Sequence, residues 1–351
     1  MKQAIQKLSI LPSTTSPEIS WEKQLEAIPG IRRLSECDFD YLKNMLSKCD
    51  NPDSFLTSPN YFLFTGRQGL WIYERQDSFL LVCWHPNTTG RALIFPQINN
   101  DKNELLAKLL SVIPVAPKGI QIARVPQSTN KKTYAAVENR NLLLLERAEE
   151  TLDWQFPVHI LSTQKVANTL GHEFMHIRNR LRQTHKYSVK TAPFDAIHHS
   201  RSIENLLHNW AQRNAENRSE YEQLYAPYET LFSSSMNSTF GLSGLMIYVE
   251  NKLEAVALWD ISNSQNKTAN LFVNFCNVTI KGLSELLIVK SCEALSNQGI
   301  KFLNLGGSES AGLNRYKSKF APATSLQLNS IELDFHSVEP VDNSIDVRAI
   351  A

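Results

Sequence analysis

A chain of 351 residues is too long for one core of ordinary domain size and predicts about two domains. Hydrophobic residues make up 42% and charged residues 20%, ordinary globular usage that excludes global disorder. With 36 basic against 35 acidic residues and a formal net charge of +1, no overall field draws the chain to nucleic acid or an anionic membrane, so a polyanion must be met by a local patch.

The five cysteines are odd in number, scattered and free of any Cys-x-x-Cys pair, which predicts reduced thiols in a cytosol. Met1 to Glu18 lacks the sustained apolar stretch of a secretory signal. Nowhere do about 18 apolar residues run together, so no transmembrane helix is expected and the location predicted is cytoplasmic.

In chain order, residues 1–25 read as a flexible lead-in, with structure starting near Ile31. Helical spacing of Phe39, Leu42 and Leu46 predicts a helix over Glu36 to Lys48. Gly69 to Tyr73 and Phe79 to Trp84 predict a hairpin. A strand follows at Arg91 to Pro96, a helix at Asn103 to Ile113, and strands at Ile120 to Val125 and Leu142 to Leu144.

A second unit begins at Val158 to Leu161 and continues as one helix over Thr163 to Gln183 and another over Ile203 to Arg213. Strands are expected at Leu245 to Glu250, Leu253 to Asp260 and Ala269 to Phe275. A long helix over Lys281 to Asn297 stops at Gly299, and the strand Lys301 to Leu305 follows. The expected domains are 26–155 and 156–351.

Four groups of residues carry chemistry. Gly306-Gly307 ends a strand where positive φ and close approach of a ligand to backbone amides are possible. Gly312-Leu313-Asn314-Arg315-Tyr316-Lys317-Ser318-Lys319-Phe320 follows at once. Between His176 and Lys190, Arg178, Arg180, Arg182, His185, Lys186 and Lys190 make a basic concentration suited to phosphates. Trp259-Asp260 offers a strand-borne carboxylate as a base for an attacking amine, and equally reads as a strand-end turn.

The order of long helix, paired glycine and Gly-Leu-x-x-aromatic-Lys-x-x-Phe resembles the FemABX family, and Gly171 to Arg182, with Arg178-Asn179, resembles the C-terminal domain of phosphatidylglycerol lysyltransferases. That resemblance implies an α+β protein of tandem GNAT-like domains, mixed sheets flanked by helices, with the site in the second domain. It implies an acyltransferase forming an amide or ester bond, with no resident cofactor and with aminoacyl-tRNA or an acyl thioester as donor. The acceptor would be a small molecule, peptide or lipid.

By position in the motif, Lys317 is the family's lysine that stabilises the developing oxyanion, which suits a fixed cation in a dry cleft. Tyr316 stands where the family has phenylalanine and adds a hydroxyl to the catalytic candidates. Arg178, Asn179, Gly306, Gly307, Arg315 and Lys319 are the substrate-binding candidates. Acetyl-CoA-dependent relatives carry a Gln/Arg-x-x-Gly-x-Gly/Ala loop that Asn277 to Leu283 does not reproduce, which favours aminoacyl-tRNA over acyl-CoA.

A rival pattern is His172-Glu173-Phe174-Met175-His176, which satisfies His-Glu-x-x-His and would make a zinc peptidase. On a helical wheel, Leu170, Phe174, Ile177 and Leu181 form an apolar stripe and both histidines project away from it, and no third ligand is singled out by spacing. No metal is therefore expected. A GNAT-like binding module without catalysis is the remaining alternative.

Overall fold

The computed structural model describes residues 20–49, 51–76, 78–86, 90–95, 102–127, 143–145, 156–235, 238–262, 267–308 and 310–334. Most of the expected lead-in lies outside them. Its end does not: Trp21–Glu26 is a helix (α1) whose Trp21 and Leu25 are buried, so order begins before Ile31. Trp21 packs edge-on to Trp71 and against Trp84, a contact between distant segments that periodicity cannot show.

The first half carries strands Ile31–Leu34 (β1), Leu70–Arg75 (β2), Ser78–Trp84 (β3), Ala92–Phe95 (β4), Ile120–Pro126 (β5) and Leu143–Leu145 (β6). Its other helices are Phe39–Ser47 (α2), Pro59–Thr65 (α3) and Lys102–Leu110 (α4). The expected hairpin is present, with Leu70 opposite Cys83 and Arg75 opposite Ser78. Away from the turn residues Glu74, Arg75 and Ser78 its strands are apolar and buried, because both faces are covered. Trp71 and Tyr73 point into one core with α1 and α4, whereas Leu70 and Ile72 point into another with α2 and α3.

The second half contains Val158–Ser162 (β7), Val189–Pro193 (β8), Ser243–Val249 (β9), Lys252–Ile261 (β10), Thr268–Cys276 (β11), Phe302–Asn304 (β12) and Thr324–Leu326 (β13), in the sheet order β13-β7-β12-β11-β10-β9-β8. Its helices are Thr163–Asn168 (α5), Met175–Leu181 (α6), Ala196–Asn214 (α7), Arg218–Ser235 (α8), Leu283–Asn297 (α9) and Ala311–Ser318 (α10). Helix α9 buries Leu283, Leu287 and Leu295 against one face of the sheet, and α7 and α8 cover the other.

Two expectations are corrected here. The single helix over Thr163 to Gln183 is broken: Thr169 takes a left-handed conformation (φ 48°) that ends α5, and Leu170 turns out to solvent at 73% exposure. The C-terminal unit 156–351 does not keep to one sheet. Leu328–Asp334 (β14) crosses back and pairs with β5 and β6, giving the first sheet the order β1-β2-β3-β4-β5-β14-β6. The long helix α8, which contains Pro227, was not expected.

The halves meet across a buried polar row. Asp260, Asn270 and Asn304 are register neighbours on β10, β11 and β12. They face the segment Asp53 to Asn60. Asn270 Nδ2 donates to Asp260 Oδ1 at 2.9 Å and to Ser54 O at 3.2 Å, and Asn304 Nδ2 donates to Ser54 Oγ at 3.0 Å. Ser58 and Asn60 donate to the other Asp260 oxygen. Burial pushes the Asp260 carboxyl up from its ordinary value. The candidate base thus serves the junction.

Beside this row, Arg124 Nε donates to Asp53 Oδ2 at 2.7 Å, both side chains being 0% exposed, with the guanidinium over the rings of Phe55 and Tyr61. Removing one partner of a dry ion pair leaves an uncompensated charge. Arg124→Leu is expected to lower stability by about 3–5 kcal/mol in urea unfolding, and Asp53→Leu/Arg124→Leu to lose much less. Equal losses from the single and double variants would show that the charge pairing is immaterial.

Candidate functional site

Strands β11 and β12 are parallel and pair only over Thr268 to Asn270 and Phe302 to Asn304. Beyond that point β11 runs on to Cys276, while the other chain turns through Leu305, Gly306 and Gly307 towards α10. The sheet therefore opens at its middle. Gly306 has φ 68°, a conformation that favours glycine, and its amide donates 2.9 Å to Asn304 Oδ1. That amide is used within the protein, and both glycines are buried.

Helix α10 begins where Ser310 Oγ accepts from Leu313 N. Helical spacing then sorts its residues. Tyr316 and Phe320, one turn apart, pack edge to face inside the core at 5.5 Å. Arg315, Ser318 and Lys319 face a cavity. Asn314 and Lys317 turn to the strand end. Lys317 Nζ donates to Leu305 O at 2.7 Å and to Gly307 O, so the ammonium is fixed at the opening.

His159 on β7 completes this group. Its Nε2 lies 2.7 Å from Asn314 Oδ1 and its Nδ1 3.0 Å from Ser325 Oγ. Burial lowers its pKa, the Asn314 bond opposes that, and the neighbouring Lys317 lowers it further. The imidazole is therefore held neutral. A histidine within the apolar run Val158 to Leu161 was the one signal for it in the sequence.

The cavity, about 750 Å³, lies between α6, the start of α9 and α10. His176, Arg180, Lys281, Arg315 and Lys319 line it together with Glu285. Gly282 makes this convergence possible: at φ 86° a Cβ there would meet Arg180 O at 2.2 Å, so the α9 N-terminus lies directly on α6. Asn179 also lines the cavity and accepts from Arg182 Nη1 at 3.0 Å.

The expected site residues fall into three sets. Asn179, Arg315 and Lys319 converge on the cavity; Lys317, Gly306 and Gly307 form the fixed block at the sheet opening. Arg178 and Tyr316 have other tasks. The Arg178 guanidinium donates to Thr169 O at 2.7 Å and Gly171 O at 2.6 Å, bracing the turn that breaks the helix, and it does not line the cavity. The Tyr316 hydroxyl is enclosed beside Ser284 and Asn274, and burial pushes its pKa well up, so it keeps its proton. Lys281, Gln183 and Glu285 were not singled out in the sequence, because each reads there as an ordinary helix-end or helical residue.

The His-Glu-x-x-His pattern does not sit on one continuous α-helix. His172 belongs to a 3-10 turn and His176 to α6, where it lines the cavity. Among the described residues no group of three His, Cys, Asp or Glu side chains converges as metal ligands. Among them, too, no helix is long and apolar enough to cross a membrane.

The family described as phosphatidylglycerol lysyltransferase, C-terminal, matches residues 159–331, the stretch that builds this site. Residues 159–331, just under half of the chain, are thus similar to this transferase domain. No curated protein matches the chain. Among solved structures, a conserved protein from Bacteroides thetaiotaomicron VPI-5482 superposes with TM-score 0.68 at 18% identity, covering 88% of this chain and all 100% of that one. The structure of L-PGS from Bacillus licheniformis gives 0.53 at 12% identity, covering 86% and 93%. FemX gives 0.54 at 10%, covering 86% and 96%. These likenesses show the tandem GNAT-type fold.

The neutral His159 sets a pH dependence. An unfolded histidine takes up a proton near pH 6.5, whereas the folded one resists it, so the unfolded state binds more protons and stability falls as pH drops below about 6.5. Above that value the effect is absent. His159→Gln is expected to flatten this part of the curve in urea unfolding between about pH 5 and 7. An unchanged slope would mean that another group sets it.

Proposed function

We propose that the protein transfers an aminoacyl group from aminoacyl-tRNA to an amine or hydroxyl of a small-molecule, peptide or lipid acceptor, acting in the cytoplasm. The observation that carries this reading is the cation-lined cavity beside the opening between β11 and β12. In a chain of net charge +1, Arg180, Lys281, Arg315 and Lys319 gather at one place, where they can neutralise the phosphates of a donor. Arg315 and Lys319 bind the donor with Asn179, and Lys317, fixed by two carbonyl groups, stabilises the oxygen that becomes negative in the tetrahedral intermediate.

The loop before α9 bears on the choice between RNA and CoA. Asn277 Oδ1 accepts from Thr279 N at 3.1 Å and from Thr279 Oγ1 at 2.7 Å, and Ile280 N donates to Asn277 O. These amides are spent within the loop. That supports an RNA donor gripped by side chains over a CoA pyrophosphate wrapped by backbone.

The test supplies tRNA charged with labelled amino acids and, separately, labelled acyl-CoA species, and follows label into acceptor mixtures. Label is expected to leave the RNA, and Lys317→Ala to slow transfer by about 100- to 1,000-fold. Arg315→Ala/Lys319→Ala is expected to weaken tRNA binding and reduce its salt slope by about two. Transfer from acyl-CoA alone would refute the donor assignment, and full activity in Lys317→Ala would refute its role.

A further inference from the structure

Lys317 stands at the opening only if two things are held in place: the turn whose carbonyl groups it binds and the helix that carries it. Both are held from His159. Its backbone brackets the turn, because Leu305 N donates to His159 O at 2.9 Å and His159 N donates to Gly306 O at 3.3 Å. Its ring reaches towards the helix, placing Nε2 2.7 Å from Asn314 Oδ1 on α10.

The ring itself is set from its other edge. Ser325 lies directly opposite His159 in the register of β7 and β13, and its Oγ is 3.0 Å from Nδ1. In the neutral ring the Ser325 hydroxyl donates to Nδ1, which leaves the proton on Nε2, where it is donated to Asn314. Helix α10 is eight residues long, and the contact of Tyr316 with Phe320 that seats it is apolar and does not fix its rotation. The long, flexible stem of Lys317 cannot fix it either. The short Asn314 side chain can, and Lys317 lies about one turn further along the same face. His159 is 6% exposed and does not line the cavity, so it acts through what it holds.

We infer that His159 is a positioning residue for transfer: through Asn314 it sets the rotation of α10, through its backbone it sets the turn at Leu305 and Gly306, and so it places the Lys317 ammonium at the opening. This assignment rests on the aminoacyl-transfer reading above, with Lys317 as the group that stabilises the developing negative oxygen. That oxygen is charged only in the transition state, so a displaced Lys317 is felt in kcat and not in KM. Two polar replacements separate the tasks of the two ring nitrogens. Glutamine puts an amide nitrogen near the place of Nε2 and keeps the bond to Asn314, whereas the shorter asparagine stands in for Nδ1 and reaches only towards Ser325.

The full chain is assayed with aminoacyl-tRNA, and in parallel the reactivity of Lys317 towards reductive methylation is followed by mass spectrometry. His159→Asn is expected to lower kcat by about 10- to 100-fold with KM within about threefold, and to make Lys317 react about tenfold faster. His159→Gln is expected to stay within about threefold of the wild type in both measurements. On a Lys317→Ala background, His159→Asn is expected to cost less than about threefold, because the group it places is gone. Equal kcat losses in His159→Gln and His159→Asn, full additivity with Lys317→Ala, or unchanged Lys317 reactivity in His159→Asn overturns the assignment and leaves aminoacyl transfer standing. Absence of turnover in the wild type overturns the transfer reading, and a role in transfer with it, while a raised Lys317 reactivity in His159→Asn still upholds the placement. Should His159→Asn fail to fold, Asn314→Ala removes the same bond from its half-buried helix partner and is expected to give the same kcat loss and the same rise in reactivity.

Discussion

The architecture depends on the buried polar row where the two halves meet. An apolar junction tolerates small slides, because dispersion and burial are nearly non-directional. A dry ion pair and a chain of amides do not, since every donor displaced from its acceptor leaves a group without water to replace the bond. Asp53, Arg124, Asn270, Asn304 and Asp260 therefore fix how the halves sit. They also fix something nearer the chemistry: Asn270 and Asn304 are the last residues of the short parallel pairing between β11 and β12. The interaction that joins the halves is thus the one that sets where the second sheet opens.

From that opening the site follows by helical geometry. In α10, adjacent residues Arg315, Tyr316 and Lys317 point to cavity, core and strand end in turn. A motif that looks crowded in sequence is spread over three environments. The tyrosine in place of phenylalanine keeps the ring in the core and adds a hydroxyl on the buried side, beside Ser284.

Much of this was legible in advance, for reasons that can be stated. The apolar runs of β2, β3, β10 and β11 and the stop of α9 before Gly299 are local signals, and local physics decides them. The motif around Lys317 was legible by resemblance. What escaped was set by distant partners. Thr169 breaks a helix that periodicity would extend, and Arg178 is held outside the cavity lining by the carbonyl groups which that break exposes. Asp260 looks like a strand-end base until Ser58, Asn60 and Asn270 surround it. Glu285 looks like any first-turn glutamate, and only the approach of α6 and α10 makes it the one acid in a basic cavity.

The return of β14 to the first sheet has a consequence for synthesis. A ribosome releases the chain from its N-terminus, so β5 and β6 emerge with the place between them empty. That place is filled only after the whole second half has been made. The first half therefore waits, with strand edges open to pairing, and neither half can finish alone. Folding of this protein is closed by its last strand, as a clasp closes a loop of chain.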